Sequence, residues 1–411
     1  MNEAMFTTNL AESLDEGDRA FPIAEEAPPP DALVAVSDPP EPLVARHRWV
    51  RRGTGTIASA SEWAFGSLAL ALGLALLAAT PVAQFFSLGY LLEAEGRVAR
   101  SGRLRDGLVG VRRAARVGSM VLGAWLWLLP VRLVASLARS AELIDPGGPI
   151  ARRWRHGLIS LVVLTVLHIG VACARGGRLR DFLWPPADPG WLVRRLRRGR
   201  LYGDARDAVW EFVAALRLPA YFRLGLLGFA GTLAWLLLPV TVMALGRRVP
   251  VLSLLGGLLL AAVASLLPFL QAQFAAEGRF TALFDYRSVR QRYCRAPWAF
   301  ALALFLTASF ALPLYLLKIE MIPRETIWLP NLVFLAFIFP ARVLTGWAYA
   351  RSTRRETPRH WVSRWLGRLS MLPMIAIYTL SVFLSQYTAW NGIGSLYEQH
   401  AFLLPVPFLG R

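Results

Sequence analysis

The sequence predicts an all-α polytopic membrane protein with about eight transmembrane helices in two parallel four-helix repeats. Of its 411 residues, 55% are hydrophobic and only 18% are charged, and the apolar residues form long uninterrupted blocks. An average soluble protein is about 45–50% apolar and about 25% charged. The composition therefore excludes an ordinary soluble enzyme, a disordered protein, a secreted disulfide scaffold and a simple nucleic-acid binder.

Residues 1–45 are predicted to form a disordered, acidic, proline-rich tail. They contain ten acidic residues, one basic residue and seven prolines, which leaves the rest of the chain at +27 although the net charge is +18. High charge and low hydrophobicity cannot support a packed core, and the longest apolar run is too short for a signal peptide. We expect a solubilising extension; the alternative is a tail that folds back on the arginine-rich loops. A basic juxtamembrane linker follows at 46–61.

Eight stretches of the chain are long and apolar enough to cross a bilayer, whose hydrocarbon core needs about 20 residues of helix. Because a backbone in lipid must satisfy its own hydrogen bonds, each is predicted to be helical. Pro81 and Pro268 lie inside the first and fifth. The stretches are Trp63–Leu92, Gly118–Ala138, Gly157–Ala174, Phe222–Leu245, Pro250–Ala276, Pro297–Leu317, Ile327–Tyr349 and Ser370–Trp390.

The spans are predicted to form two repeats, 62–246 and 247–390, followed by a short C-terminal tail, 391–411. Four sequence similarities occur in the same order in both halves, whereas convergent use of arginine and small residues at helix ends is the alternative explanation. Because each repeat has an even number of spans, the two would have the same orientation, as in the parallel repeats of some transporters. The paired segments are Ala94–Arg97 with Ala276–Arg279, Leu129–Pro130 with Leu312–Pro313, Gly170–Arg175 with Gly346–Arg351, and Trp191–Arg198 with Trp361–Arg368.

Basic residues are distributed unequally between the two sides of the membrane. The connections after spans one, three, five and seven carry 7, 10, 5 and 6 of them, and those on the other side carry 4, 4, 2, 2 and 1. The positive-inside rule assigns the heavier side to the cytoplasm, and we expect a bacterial inner membrane. Both termini would then lie outside, although four arginines, at 46, 48, 51 and 52, directly precede span one. Either span one is re-entrant about Pro81 or a span is miscounted.

Arg342 and His168 are the leading candidates for an intramembrane polar site, because ionisable groups inside spans are costly and mark functional positions. Arg342 follows Pro340 in the middle of its span, and the sequence shows no Asp or Glu in mid-span that could pair with it. A lone histidine such as His168 is more often a packing residue than a ligand.

The two Glu-Gly-Arg corners after spans one and five form a second candidate site. Glu95, Arg97, Glu277 and Arg279 could lie symmetrically around a cytoplasmic mouth and pair with each other or with a charged solute. The alternative is structural, since a glycine after a helix suits a left-handed cap and the charges suit interfacial anchoring.

The loop 175–220 is rich in arginine and predicted to contain an interfacial amphipathic helix. Arg194, Arg195, Arg197 and Arg198 alternate with apolar residues that begin at Trp191. Such a face is attracted to anionic phospholipid by about 1 kcal/mol per arginine. With a bilayer adjacent, lipid is a better partner than nucleic acid. A second amphipathic stretch is predicted at 204–216.

Catalytic, cofactor and metal motifs are absent from the sequence, and Cys173 and Cys294 have no disulfide or metal-site spacing. We therefore predict a protein that is not an enzyme and holds no cofactor or metal. The first hypothesis is transport or sensing of a small or lipidic, anionic solute between the two repeats. The alternative is a structural or assembly protein that binds anionic lipid or a protein partner through its arginine-rich cytoplasmic face.

Overall fold

A computed structural model describes residues 42–183, 201–246, 249–320, 323–398 and 400. The chain divides into two compact units, 1–56 and 57–411. Of the first unit, only the helical backbone from Pro42 onward is described. The second unit contains every contact considered below.

All regular structure in the described residues is helical. Short 3₁₀ helices at Leu104–Gly107, Phe280–Phe284, Arg324–Thr326 and Gly392–Leu396 join some of the α-helices. The α-helices are α1 (Pro42–Ala78), α2 (Gln84–Ser101), α3 (Val111–Ile144), α4 (Pro149–Ala174), α5 (Leu179–Leu183), α6 (Leu201–Ala215), α7 (Leu218–Leu245), α8 (Pro250–Glu277), α9 (Tyr286–Arg295), α10 (Pro297–Leu316), α11 (Trp328–Thr353) and α12 (Trp361–Thr388).

Eight helical stretches in the described residues are long and apolar enough to span a membrane, which confirms the predicted number. The outer surface is correspondingly apolar. Leu133, Leu164 and Leu167 on the α3–α4 pair are each at least 60% exposed. Large apolar side chains exposed in such number are unusual on soluble proteins and typical of a membrane-facing surface. The protein is an integral, multi-pass membrane protein by its architecture.

The first predicted span, Trp63–Leu92, is wrong in its extent. The helix stops at Ala78 and resumes at Gln84, and Val82 between them has a positive φ of 68°. Pro81 causes this break, because proline lacks the N–H that would continue the helical hydrogen bonding. The predicted linker 46–61 has a helical backbone and belongs to α1.

From residue 57 onward, α1 forms a hairpin with α2. Gly66 packs against Val111 at the start of α3. Further along both helices, Ala69 of α1 packs against Gly118 of α3. The two helices therefore run in the same direction. The start of α3 is also where α2 ends, because only the short 3₁₀ helix separates them. The chain therefore leaves this end along α1 and returns to it along α2.

Helix α2 lies at the centre of the unit, packed against α7, α8 and α11. It contains four charged residues and is for that reason not among the eight apolar stretches. Glycines allow its close approach to its neighbours: Gly89 faces the carbonyl of Tyr221 on α7, Gly96 faces the carbonyl of Ala275 on α8, and Gly346 on α11 faces the carbonyl of Glu95. Small residues at membrane helix interfaces permit such backbone contact.

Helices α2 and α8 end in the same local geometry. Gly102 and Gly278 are left-handed caps with φ of 71° and 72°, and each amide donates to the carbonyl four residues earlier. An extended arginine and a 3₁₀ helix follow in both cases. The sequence match of Gly96 with Gly278 is therefore wrong as a structural match, because Gly96 lies inside α2.

The glycine contacts of α2 predict a large difference between two Gly→Ala substitutions. At Gly89 a Cβ would overlap the Tyr221 carbonyl, and overpacking of this kind costs about 1–3 kcal/mol. At Gly73 in α1 no atom lies within 4 Å, so alanine should be neutral or stabilise the helix by up to about 1 kcal/mol. Thermal unfolding of the purified protein in detergent measures both. Equal effects would contradict the packing of α2 on α7.

Candidate functional site

A buried ion pair joins α2 to α11. One Nη of Arg342 donates to a carboxylate oxygen of Glu95 at 3.0 Å, and the two side chains are 2% and 0% exposed. The residues lie 247 positions apart in the chain. The pair therefore connects the first half of the chain to the second.

Uncharged side chains extend this pair to four helices. The same Arg342 nitrogen donates to Gln271 of α8 at 2.5 Å, and the Thr345 hydroxyl donates to Glu95 at 2.5 Å. The amide of Gln271 then donates to the Thr232 hydroxyl of α7, which in turn donates to the carbonyl of Gly228. We call these five side chains (Glu95, Gln271, Arg342, Thr345 and Thr232) the central network.

The central network neutralises its own charge. Removing a charge from water costs several kcal/mol, and a close counter-ion with satisfying hydrogen bonds offsets this cost. Glu95 provides the counter-ion for Arg342, and Gln271 and Thr345 supply hydrogen bonds to the pair. The arrangement holds helices together, and it gives Arg342 a permanent anionic partner within the protein.

The prediction that Arg342 has no carboxylate partner is wrong. The prediction relied on position along the chain: Glu95 follows the predicted first span and was therefore assigned to the membrane surface. In the structure the break at 79–83 starts a new helix, and Glu95 falls two-thirds of the way along it, buried among α7, α8 and α11. A proline near the middle of an overlong apolar stretch was the signal that could have indicated the second helix.

The four predicted corner residues do not form one symmetrical ring of charges. Glu95 is in the central network, whereas Arg97 binds Glu93 one turn earlier at 2.9 Å. Glu277 binds Arg279 at 2.6 Å on the surface. Each of these last pairs is local, so the charges do not pair across the two halves in the way that the symmetrical arrangement requires.

His168 is used in a separate contact. A ring nitrogen lies 3.1 Å from the carbonyl oxygen of Phe182 in α5, and the ring packs on Trp127 with centroids 4.1 Å apart. The Trp127 indole N–H donates to the same carbonyl at 2.8 Å. These contacts fix the short helix α5 between α3 and α4. Arg342 and His168, predicted as one polar site, have no contact with each other in the described part of the chain.

Arginines from three connections meet at one end of the helical unit, which we call the basic end. Arg354, after α11, donates to the Ser101 carbonyl at 3.1 Å, and Arg100 in α2 donates to the Ala275 carbonyl at 2.9 Å. The Arg359 amide donates to the Cys294 carbonyl at 2.8 Å. The connections after α2, α8 and α11 are thereby brought together. Arg194, Arg195, Arg197 and Arg198 lie outside the described residues, and the second amphipathic stretch is α6.

The only lysine of the chain, Lys318, is buried near the other end of the unit, just after α10. Its Nζ donates to the Ser395 carbonyl at 2.9 Å and lies 5.2 Å from the ring centroid of Tyr315. Burial lowers the pKa of Lys318 from 10.5 to about 8, and the carboxylate of Glu398 opposes this shift. This burial could not be predicted from the sequence, because a lysine just beyond a span normally reaches the interface. Lys318 ties the end of α10 to the C-terminal 3₁₀ helix.

Among the described residues, no group of three or more His, Cys, Asp or Glu side chains is placed to hold a metal ion. Cys173 and Cys294 are both free thiols.

The central network predicts that Glu95→Gln is strongly destabilising. The amide can keep one hydrogen bond, but Arg342 is left as an uncompensated buried charge, which costs about 3–5 kcal/mol. The matched control is Glu93→Gln, two residues earlier, whose partly exposed pair with Arg97 is worth at most about 1 kcal/mol. Unfolding midpoints in detergent compare the two variants. A Glu95→Gln protein as stable as the Glu93→Gln protein would contradict the account.

Lys318 predicts a rise in stability with alkaline pH. Between pH 8 and 10.5 the unfolded chain holds a proton that the folded chain has released, so stability increases with pH in that window. Lys318→Met removes this linkage. The unfolding midpoint of the wild type should therefore rise relative to that of the variant between pH 7.5 and 10. Parallel pH profiles for the two proteins would show that Lys318 keeps an ordinary pKa.

Comparisons of the chain with protein-family models, with curated proteins and with solved structures found no match. The function proposed below therefore rests on the geometry and charge of the described residues.

Proposed function

We propose that the protein is a non-enzymatic structural or assembly component of a membrane, and that its basic end binds anionic phospholipid. The observation that carries this proposal is the excess of arginine charge at that end. The segments 93–117, 277–296 and 350–369, which include the adjoining helix ends, carry seven, five and six arginines. In the described residues only three of these, Arg97, Arg100 and Arg279, lie within 4.0 Å of a carboxylate.

Charge of this kind suits a phospholipid surface. Each arginine near an anionic leaflet contributes about 1 kcal/mol of attraction, and tryptophan and arginine together favour the headgroup region. By the positive-inside rule the basic end faces the cytoplasm, and we propose the bacterial inner membrane as the location. A protein partner with an acidic surface is a further ligand of the same end. Nucleic acid is a poorer ligand, because the bilayer borders these arginines.

The rival hypothesis of an anionic solute between the repeats has less support. It requires an intramembrane cation that a solute can reach, and Arg342 was the residue proposed for it. Arg342 is 2% exposed and already has Glu95 as its counter-ion. A solute would have to displace Glu95 or open four packed helices.

We also propose that the two halves arose by duplication. Aligning the glycine caps of α2 and α8 gives the correspondence between the two halves. Gly102 and Gly278 are 176 positions apart, and Gly170 and Gly346 have the same separation. In this register Glu95 corresponds to Gln271, and both of these side chains bind an Nη of Arg342. The position equivalent to Arg342 is Val166. The central network would then have evolved from a symmetrical pair of positions into an asymmetrical one.

Lipid-dependent stability tests the proposed function. The purified protein in detergent is titrated with dioleoyl phosphatidylglycerol or with dioleoyl phosphatidylcholine, and its unfolding midpoint is measured at low and high salt. A ligand that binds the folded state at 100 times its Kd stabilises by about 2.7 kcal/mol. We expect phosphatidylglycerol to raise the unfolding midpoint by several degrees. Raising the salt from about 0.1 M to about 0.5 M screens the arginine charges and should reduce that rise. Equal effects of the two lipids would contradict the proposal.

A further inference from the structure

A cavity of about 230 Å³ lies at the basic end, between the start of α10 and the end of α11. At about 30 Å³ per water molecule it has room for roughly eight waters, which suits a headgroup phosphate better than a whole drug-sized ligand. Its lining combines three arginines with apolar and aromatic side chains. The lining residues are Ala296, Pro297, Trp298, Ala299, Leu302, Trp347, Arg351, Arg355 and Arg359.

The fold brings the three arginines together from two sides. Trp347 and Arg351 are four residues apart in the last turns of α11 and share one face, and Arg355 follows just beyond the end of the helix. Arg359 is held at the cavity by its backbone, whose amide donates to the Cys294 carbonyl of α9. The side chain of Arg351 lies 5.5 Å from the ring centroid of Trp347.

In the part of the chain that the structure describes, the three guanidinium groups have no anionic partner. Within the described residues none of them forms an ion pair or donates a hydrogen bond to another protein group. The other residues of the lining are apolar or aromatic. Three like charges around one small cavity repel one another, and an anion bound between them would relieve that repulsion.

Backbone donors reinforce the positive potential of the cavity. Helix α10 starts at Pro297 without a side-chain cap. Its first backbone hydrogen bond is donated by the Phe300 amide to the Ala296 carbonyl. The N–H groups of Trp298 and Ala299 belong to the first turn and have no acceptor within the helix. Both residues line the cavity, and the N-terminal end of a helix adds its positive dipole to the arginine charges.

The apolar part of the lining continues toward the membrane-facing surface of α10. Trp298 is 51% exposed and Leu302, one turn further along, is 48% exposed. A tryptophan beside arginines is typical of the headgroup level of a membrane, and leucine suits the acyl region below it. The cavity therefore combines three cationic groups with an apolar edge, as an amphiphilic anion requires.

We propose that this cavity is a specific site for an anionic phospholipid, with the phosphate between Arg351, Arg355 and Arg359 and an acyl chain along Trp298 and Leu302. The site deepens the proposed function and rests on it: the basic end as a whole attracts anionic lipid, and this cavity holds one molecule in place. Free phosphate esters share the headgroup chemistry but lack the chain.

Native mass spectrometry of the full-length protein tests the site. The protein is released from detergent with dioleoyl phosphatidylglycerol or dioleoyl phosphatidylcholine, and bound lipids are counted. We expect one phosphatidylglycerol to be retained preferentially, and R351Q/R355Q/R359Q to lose it. At about 1 kcal/mol for each arginine, R359Q alone should weaken binding by about fivefold and the triple variant by about a hundredfold. The single variant keeps the test decisive if the triple variant misfolds.

The matched control is R103Q/R105Q/R112Q, which removes three exposed arginines of the basic end that do not line the cavity. Loss of the retained lipid in the cavity variant alone supports the site. Equal loss in both triple variants overturns the site and leaves the proposed function standing. A wild type that retains both lipids equally overturns both. Displacement of the lipid by an equal concentration of glycerol 1-phosphate overturns the lipid assignment in favour of a soluble phosphate ester.

Discussion

The buried pair of Glu95 and Arg342 is the interaction on which the arrangement of the helices depends. Neither charge is tolerable alone at 0% and 2% exposure, so α2 and α11 must lie where the two groups meet. Gln271 and Thr232 then fix α8 and α7 relative to the same atoms. In a membrane, where apolar burial between helices gives little preference for one packing over another, such a network selects a single arrangement.

Arg342 and the arginines of the basic end belong to two different classes of charge. One intramembrane arginine is neutralised inside the bundle, and the arginines of the connections remain at the basic end with few carboxylates beside them. The first class serves folding. The second class is available to a ligand outside the protein, and the cavity between α10 and α11 is the place where three of its members converge on a space of molecular size.

Much of the fold could be predicted from the sequence, because long apolar blocks carry a strong signal. Eight spanning stretches were expected and eight are present in the described residues. The hairpin of α1 and α2 could not be predicted with the same certainty. A break at Pro81 was one of two ways to reconcile the arginine counts with the arginines that precede span one. In addition, α2 carries too many charges to resemble a span.

The candidate site could be predicted only in part. Arg342 was recognisable because an arginine in mid-span is costly, but its partner lies 247 positions away on a helix that linear position assigned to the surface. Gln271 and Glu95 gave no sequence signal of their proximity, since pairing across helices leaves no local pattern. The cavity arginines were visible only as part of a basic connection, because their convergence depends on the backbone bond between Arg359 and Cys294.

A double-mutant cycle between Glu95 and Arg342 tests the central claim most directly. The unfolding free energies of the wild type, Glu95→Gln, Arg342→Met and the double variant are measured in one detergent. The account predicts a coupling energy of about 2–3 kcal/mol, with the double variant more stable than the sum of the single losses implies. Additive losses, within about 0.5 kcal/mol, would contradict it, because they would mean that the two side chains do not depend on each other.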